Sequence, residues 1–411
     1  MRASDAVNAF APVLQPAPVP RFVRCCWHII GRDSHPLTDE FRARSAAPRV
    51  CAEDRSGTVV LLGTEFGWED NARLLDGIAA ASRDGGRLVL VHLGAGGASL
   101  LRTAAKEDPR LRVRSIELPG TPSARATRIA VTLANSEADR CDDLQVDDAG
   151  RISRTTWQPV ELPAIPLSLA SGSNGPAPGS VLVTGGLGGL GLRAAHVLAR
   201  GYGLHPVLLD VAAPASLAAA SAAHLARLRA SRTGVTVLEV DVTDRSRTAA
   251  AVSAIDTPPI RAVVHCAGLL RGGPLSGVTT YRLAAAQQAK VSGLRNVLAA
   301  LDPGALRHLI TFGSITAEEP HLSVGCYALA NELLRRATLD TARSLPHCAT
   351  VAAQWSLWSG AGMAHRAGAV PQARRMGLTP VSLRAGMTAL VRLFGWPPGP
   401  AAAASLLLYG R

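Results

Sequence analysis

The sequence predicts an α/β protein: a doubly wound parallel sheet preceded by a smaller α/β layer. Three observations carry this. From Val181 onward, short apolar runs alternate with stretches of helical spacing almost to the C-terminus. A glycine-rich run at 184–191 directly follows the first of those strands and opens a helix. A second, weaker alternation begins at Thr58, and a Pro-, Gly- and Ser-rich stretch at 159–179 separates the two.

Residues 1–50 read as a lead-in with one apolar patch at 22–30, and are a candidate docking segment. A smaller layer occupies 51–160, with strands expected at 58–63, 87–91 and 113–118 and helices at 69–82 and 124–134. No glycine fingerprint follows its first strand, since Gly63-Thr64-Glu65-Phe66-Gly67 does not cradle a pyrophosphate, so this layer is expected to be structural. A linker is expected over 161–179. The main domain, 180–411, has strands at 181–183, 206–209, 235–240, 261–265, 309–312 and 350–355, with a last candidate at 402–408. Helices are expected at 190–199, 221–231, through Lys290, and from Tyr327. Strands alternating with helices at this spacing favour right-handed crossovers and a parallel sheet.

Thr184-Gly185-Gly186-Leu187-Gly188-Gly189-Leu190-Gly191 is the strongest local motif. A pyrophosphate requires close backbone approach, which glycine permits, and a helix N-terminus supplies free N–H groups and a positive dipole end. Asp210 ends the next strand, where a carboxylate would accept bonds from ribose hydroxyls and repel a 2′-phosphate. Asp241 and Val242, after the following strand, are candidates for the adenine side. Ser314 follows a later strand, and Tyr327 and Asn331 stand four residues apart, on one helical face. A phenol of pKa about 10 is a poor acid at neutral pH unless a cation stabilises its phenolate. Lys290, on the preceding long helix, is the candidate cation.

The 411 residues include 43 Lys and Arg, of which only Lys106 and Lys290 are lysines. The net charge of +12 comes from scattered arginines with no basic run of five, which argues against a nucleic-acid partner. Seven cysteines without a C-x-x-C pair argue against a disulfide framework or a structural metal and for a reducing cytoplasm. No stretch reaches the ~18 apolar residues of a membrane helix, so no membrane partner is expected.

These motifs together resemble the ketoreductase domain of modular polyketide synthases, a branch of the short-chain dehydrogenase/reductases. The resemblance spans about residues 145–411 and rests on Val-Thr-Gly-Gly-Leu-Gly-Gly-Leu-Gly (183–191), Asp241-Val242 and Val-Val-His-Cys-Ala-Gly (263–268). It continues with Ala-Lys-Val-Ser-Gly (289–293), Phe-Gly-Ser (312–314), Tyr-Ala-Leu-Ala-Asn (327–331), Trp355-Ser356-Leu357-Trp358 and Gly362-Met363. Ordinary discrete reductases of this superfamily carry the lysine four residues after the tyrosine. Here Asn331 stands there and Lys290 lies upstream, the arrangement of the polyketide enzymes.

The resemblance implies a Rossmann-type sheet with a degenerate Rossmann-like structural half before it. It also implies a cofactor site that includes Ala267 and Gly268. The implied reaction is reduction of the β-keto group of an acyl chain on an acyl carrier protein, alongside other synthase subunits. Tyr327 would donate the proton, with Ser314, Lys290 and Asn331 assisting. The resemblance implies NADPH, but Asp210-Val211 stands where the family has Ser-Arg, so a weaker preference for NADPH is expected, with NADH as the alternative. Leu270-Arg271-Gly272 replaces the family's Leu-Asp-Asp fingerprint, and Glu319 stands in place of its tryptophan, leaving product configuration unassigned. Between Met1 and Arg411 no carrier, ketosynthase or acyltransferase signature is read, so action in trans or as an excised domain is expected. Two rival readings remain: a discrete reductase of a small untethered ketone, and a non-catalytic scaffold module.

Overall fold

Runs of Val, Leu and Ile become parallel strands because such side chains fill a sheet covered on both faces. The computed structural model describes residues 6–18, 25–32, 34–46, 55–84, 86–137, 139–165, 179–375 and 377–410. In the N-terminal half these form β1 (Val7–Pro16), β2 (Cys25–Gly31), α1 (Thr38–Ala46), β3 (Arg55–Leu62), α2 (Trp68–Arg83) and β4 (Arg87–His92). There follow α3 (Ala98–Glu107), β5 (Arg112–Glu117), α4 (Ala124–Ala134), β6 (Cys141–Val146) and β7 (Ile152–Val160).

The C-terminal half opens with β8 (Ser180–Thr184), α5 (Gly191–Tyr202), β9 (His205–Asp210), α6 (Ala219–Arg229), β10 (Thr236–Glu239), α7 (Arg245–Ser253) and β11 (Ile260–His265). Next come α8 (Thr280–Gln287), a π-helical turn (Gln288–Ser292), α9 (Gly293–Ala300), β12 (His308–Ser314), α10 (Gly325–Ser344) and β13 (Ala349–Trp355). The chain ends with β14 (Trp358–Ser359), α11 (Met363–Arg366), α12 (Val370–Arg375), β15 (Val381–Ser382), α13 (Leu383–Leu393) and β16 (Ala404–Gly410).

Among the described residues, fourteen strands form one sheet in the order β10-β9-β8-β11-β12-β13-β16-β1-β7-β6-β5-β4-β3-β2. The strands β8 to β13 are all parallel, and β8 lies between β9 and β11. The chain therefore winds outward through β10 and returns to β11 on the other side. That reversal opens a crevice at the carboxyl ends of β8 and β11, the usual ligand position in such sheets.

Residues 1–50 are more than a lead-in. Strand β1 lies inside the sheet, antiparallel to β16 over Val7–Phe10 and to β7 from Ala9 to Pro16, and so splices the two halves. Its prolines hide it from a reading by propensity. Pro12 and Pro16 fall beyond Phe10, where β1 has only β7 as a neighbour and a missing N–H is tolerated. Strand β2 adds the far edge of the sheet, parallel to β3. Of the expected linker, residues 166–178 lie outside the described residues. Helix α3 also went unread in the sequence, and Lys106 sits in its last turn.

The halves meet across α2 and α3 on one side and α8 and α10 on the other. Leu74, Leu100 and Leu101 share one apolar cluster with Leu283, Cys326, Leu329 and Leu333. A polar fastening crosses the same contact. Glu332 of α10, 1% exposed, accepts the N–H groups of Gly97 (3.0 Å) and Ser99 (2.9 Å) and the Ser99 hydroxyl (2.6 Å). Its carboxylate thereby fills the N-terminus of α3, where a helix favours an anion. One turn on, Arg336 holds both carboxylate oxygens of Glu117 at 2.7 and 3.0 Å.

Candidate active site

The residues singled out from the sequence converge on the carboxyl ends of β8 to β12. Ser314 is the last residue of β12, and helix α10 carries Tyr327 and Asn331 on successive turns. Asn331 donates Nδ2 to the Tyr327 carbonyl at 2.6 Å, and its buried Oδ1 has no partner among the described residues. The Ser314 N–H donates to Gln354 Oε1 at 3.0 Å, and its Oγ accepts the Thr316 N–H at 3.3 Å. Burial pushes the Tyr327 phenol up from its ordinary pKa, while hydrogen bonds with Asn331 and Ser314 pull it back.

Lys290 is 2% exposed and lies in the π-helical turn. Its Nζ donates to the Phe312 carbonyl at 3.0 Å and stands 5.6 Å from the Tyr327 ring centroid, over its face. Gly268 leaves room for it, since a Cβ there would stand 2.9 Å from Lys290 Cε. Desolvation lowers the Lys290 pKa to about 8, against a smaller opposing effect of Cys266.

A chain of hydrogen bonds joins this lysine to the glycine loop. The Ala267 N–H donates to Thr184 Oγ1 at 3.2 Å, and Thr184 Oγ1 lies 2.8 Å from His265 Nδ1. His265 Nε2 reaches the Lys290 carbonyl at 2.9 Å. Burial and the Lys290 charge hold the His265 pKa down to about 3, so its ring is neutral. A single tautomer then satisfies every bond: Thr184 donates to Nδ1, and Nε2–H donates to Lys290.

The loop 185–191 fits a dinucleotide phosphate. Gly185 has φ 62°, and a Cβ on Gly191 would stand 2.2 Å from the Gly185 carbonyl oxygen. Gly188, Gly189 and Leu190 lead into α5, whose first turn no side chain caps, although the Leu192 N–H is already taken by the Gly188 carbonyl at 3.0 Å. Asp210 ends β9 with Oδ2 accepting the Leu187 N–H at 2.9 Å and Oδ1 the Ala212 N–H at 3.0 Å. Asp241 is exposed beyond β10, while Val242 is buried. Ala267 and Gly268 follow β11 beside Lys290. Among the described residues no His, Cys, Asp and Glu group is arranged to hold a metal ion.

Sequence reasoning missed Gln354 and Glu332, and gave His265 no role beyond its place in the 263–268 motif. Gln354 did leave a signal, as a glutamine in the otherwise apolar strand 350–355 that proves fully buried.

A doubly wound sheet, a glycine loop at a strand–helix joint and a grouping of Lys290, Ser314, Tyr327 and Asn331 are the marks of a nicotinamide-dependent oxidoreductase class, the short-chain dehydrogenase/reductases. Within it, residues 179–360 match the family model of the KR domain, and over those residues the chain belongs to the ketoreductase family of polyketide synthases. Polyketide synthase GfsA of Streptomyces halstedii is 31% identical over 266 residues, covering 64% of this chain and 3% of that protein. Pikromycin polyketide synthase component PikAIII of Streptomyces venezuelae is 32% identical over 289 residues, covering 68% of this chain and 17% of that protein. The chain thus spans less than a fifth of either relative. The solved structure of PlmKR1, the ketoreductase from the first module of phoslactomycin biosynthesis in Streptomyces sp. HK803, shares the fold. Its TM-score is 0.77 at 24% identity, covering 98% of this chain and 93% of that one. An A-type ketoreductase from a modular polyketide synthase gives 0.77 at 23% identity, covering 100% and 94%. No helix among the described residues is long and apolar enough to cross a membrane.

Proposed function

We propose that the chain reduces the β-keto group of an acyl chain carried by an acyl carrier protein to a hydroxyl, in the cytoplasm. The carrying observation is the joint placement of Lys290, Ser314, Tyr327 and Asn331 at the sheet's crevice, beside a glycine loop shaped for a dinucleotide. A bound nicotinamide dinucleotide would supply the hydride. Tyr327 donates its phenolic proton to the carbonyl oxygen as that oxygen becomes an alkoxide. The Ser314 hydroxyl donates to the same oxygen and stabilises its growing charge. The Lys290 ammonium, over the ring face, favours the tyrosinate left behind. The unpartnered Asn331 Oδ1 can accept from the group that returns the proton.

Turnover of a β-ketoacyl thioester with NADH or NADPH is the test. Reduction of a carrier-bound substrate in preference to a small free ketone is expected. A folded chain inactive with both cofactors would instead favour a scaffold role.

Asp210 is the residue expected to discriminate between the two cofactors. Its carboxylate is held by two backbone N–H groups, so it cannot swing away from a 2′-phosphate. NADH is therefore expected to give the higher kcat/KM. Asp210→Ser is expected to move the NADH:NADPH ratio toward NADPH by about tenfold, the equivalent of removing one unfavourable contact of ~1.4 kcal/mol. Strong selectivity of the wild type for NADPH would refute this reading.

A further inference from the structure

We propose that Glu107, at the end of α3 in the N-terminal half, is a positioning residue for the reaction. Its carboxylate clamps together the two loops that bracket the carbonyl site, and so governs which face of the carbonyl is presented to the hydride donor. The proposal rests on the function proposed above.

The clamp is a closed set of hydrogen bonds. Glu107 Oε2 accepts the Leu275 N–H at 2.7 Å, and Oε1 accepts the Ser323 N–H at 2.9 Å. The Gly273 N–H donates to the Ser323 carbonyl at 2.8 Å, joining the same two loops directly. One loop leaves β11 through Ala267 and Gly268, against Lys290. The other connects Ser314 to Tyr327. Both reaction groups on β12 and α10 are thus joined by a segment whose last turn hangs on Glu107.

Two further observations show that this segment is held from outside its own half. Ser323 has φ 62°, the one positive φ of a non-glycine residue among those described, a conformation that persists only where the surroundings impose it. Its N–H points at Glu107, and the next residues open α10. Arg102, on the same helix as Glu107, donates to the Ala317 carbonyl and lies 4.0 Å from Glu318. Close packing accompanies the polar contacts: a Cβ on Gly325 would stand 2.5 Å from Leu275 Cδ2 and 3.1 Å from Leu100 Cδ1. Helix α3, in a half that lacks a phosphate loop, therefore meets both borders of the candidate site.

A ketone with two different arms is prochiral, and the configuration of the alcohol depends on which face lies toward the hydride. Walls on opposite sides of the crevice decide this by restricting how each arm enters. Loosening the tie between them broadens the set of allowed poses without touching the proton donor or the dinucleotide loop.

The test compares wild type with Glu107→Ala, which removes both acceptors, and Glu107→Gln, which has a similar shape and keeps one. Amide hydrogen exchange at Leu275 and Ser323, read in the full chain without substrate, is expected to accelerate about tenfold in E107A, the equivalent of losing one charged acceptor. With a prochiral β-ketoacyl thioester, KM is expected to rise and the minor enantiomer to increase, while dinucleotide affinity stays within about twofold. If E107A does not fold, E107Q carries the test, with faster exchange at one of the two amides expected. Unchanged exchange at both amides in a folded variant would overturn the clamp. Faster exchange with unchanged KM and unchanged enantiomer ratio would overturn its role in positioning. A wild type inactive on every β-keto thioester would sink the proposed function instead, and the exchange measurement would still decide the clamp.

Discussion

Tyr327→Phe is expected to lower turnover of a β-ketoacyl thioester by about 10²- to 10⁴-fold, the range for removing one positioned general acid, with dinucleotide affinity unchanged. The substitution removes only the phenolic oxygen. The ring that lies under the Lys290 ammonium remains, so packing is preserved and the loss reports proton donation. Lys290 then sets the pH dependence. The ammonium must be charged to stabilise the tyrosinate, and burial lowers its pKa to about 8. The cation is present below that value and disappears as pH rises through it. Turnover is accordingly expected to fall on the alkaline side with a midpoint near about 8, and Lys290→Met should lose both rate and that limb. Wild-type activity in Tyr327→Phe, or a rate that stays flat well into the alkaline range, would refute this assignment.

Glu332→Ala is expected to have the largest effect on stability, about 3–5 kcal/mol, the range for removing one member of a buried charged pair. The carboxylate is 1% exposed, satisfies two backbone N–H groups and a hydroxyl at the start of α3, and pairs with Arg336 at 3.4 Å. Its loss leaves those donors buried without their acceptor. Burial alone would raise the Glu332 pKa, but the charges of Arg336 and Arg102 and the bonds from Ser99 hold it down to about 2. A depressed carboxylate contributes stability above its unfolded pKa of roughly 4.3 and loses it as pH falls toward the folded value. The difference between wild type and variant is therefore expected to be full at neutral pH and to shrink below about pH 4. Denaturant unfolding across that range measures it. A neutral-pH difference under ~1 kcal/mol would show that the fastening is dispensable.

Both experiments act on one helix. Tyr327 and Asn331 face the crevice, while Glu332 and Arg336, on the opposite side of α10, anchor to the N-terminal half. The seating of Tyr327 thus depends on residues that anchor its helix to the N-terminal half.

What could be read from the chain alone was what short stretches of backbone determine. The glycine loop is such a case: Gly185 and Gly191 lie within one strand–helix joint, and their close approach follows from local geometry. The pairing of Tyr327 with Asn331 is another, since helical spacing places them together before any tertiary contact forms. The scarcity of lysine drew the eye to Lys290, but its position over the Tyr327 ring depends on a π-helical turn that no periodicity announced.

The interior strand β1 and the contacts that the N-terminal half makes with α10 and its preceding loop were not legible, for a common reason. Strand β1 carries prolines that oppose a strand assignment, and only its neighbours β7 and β16, brought from far along the chain, stabilise it there. Glu332 meets Ser99 across 233 residues of sequence, and Glu107 meets Ser323 across 216. A glutamate at a helix end or on a helix face has the same local signature whether it faces solvent or a distant N–H group. By itself the sequence determined the kind of sheet, the glycine loop and the pairing of Tyr327 with Asn331, because spacing and backbone sterics dictate them. The tertiary structure decided how the two halves grip each other and which carboxylates hold the site in shape, because those contacts exist only after distant segments have packed.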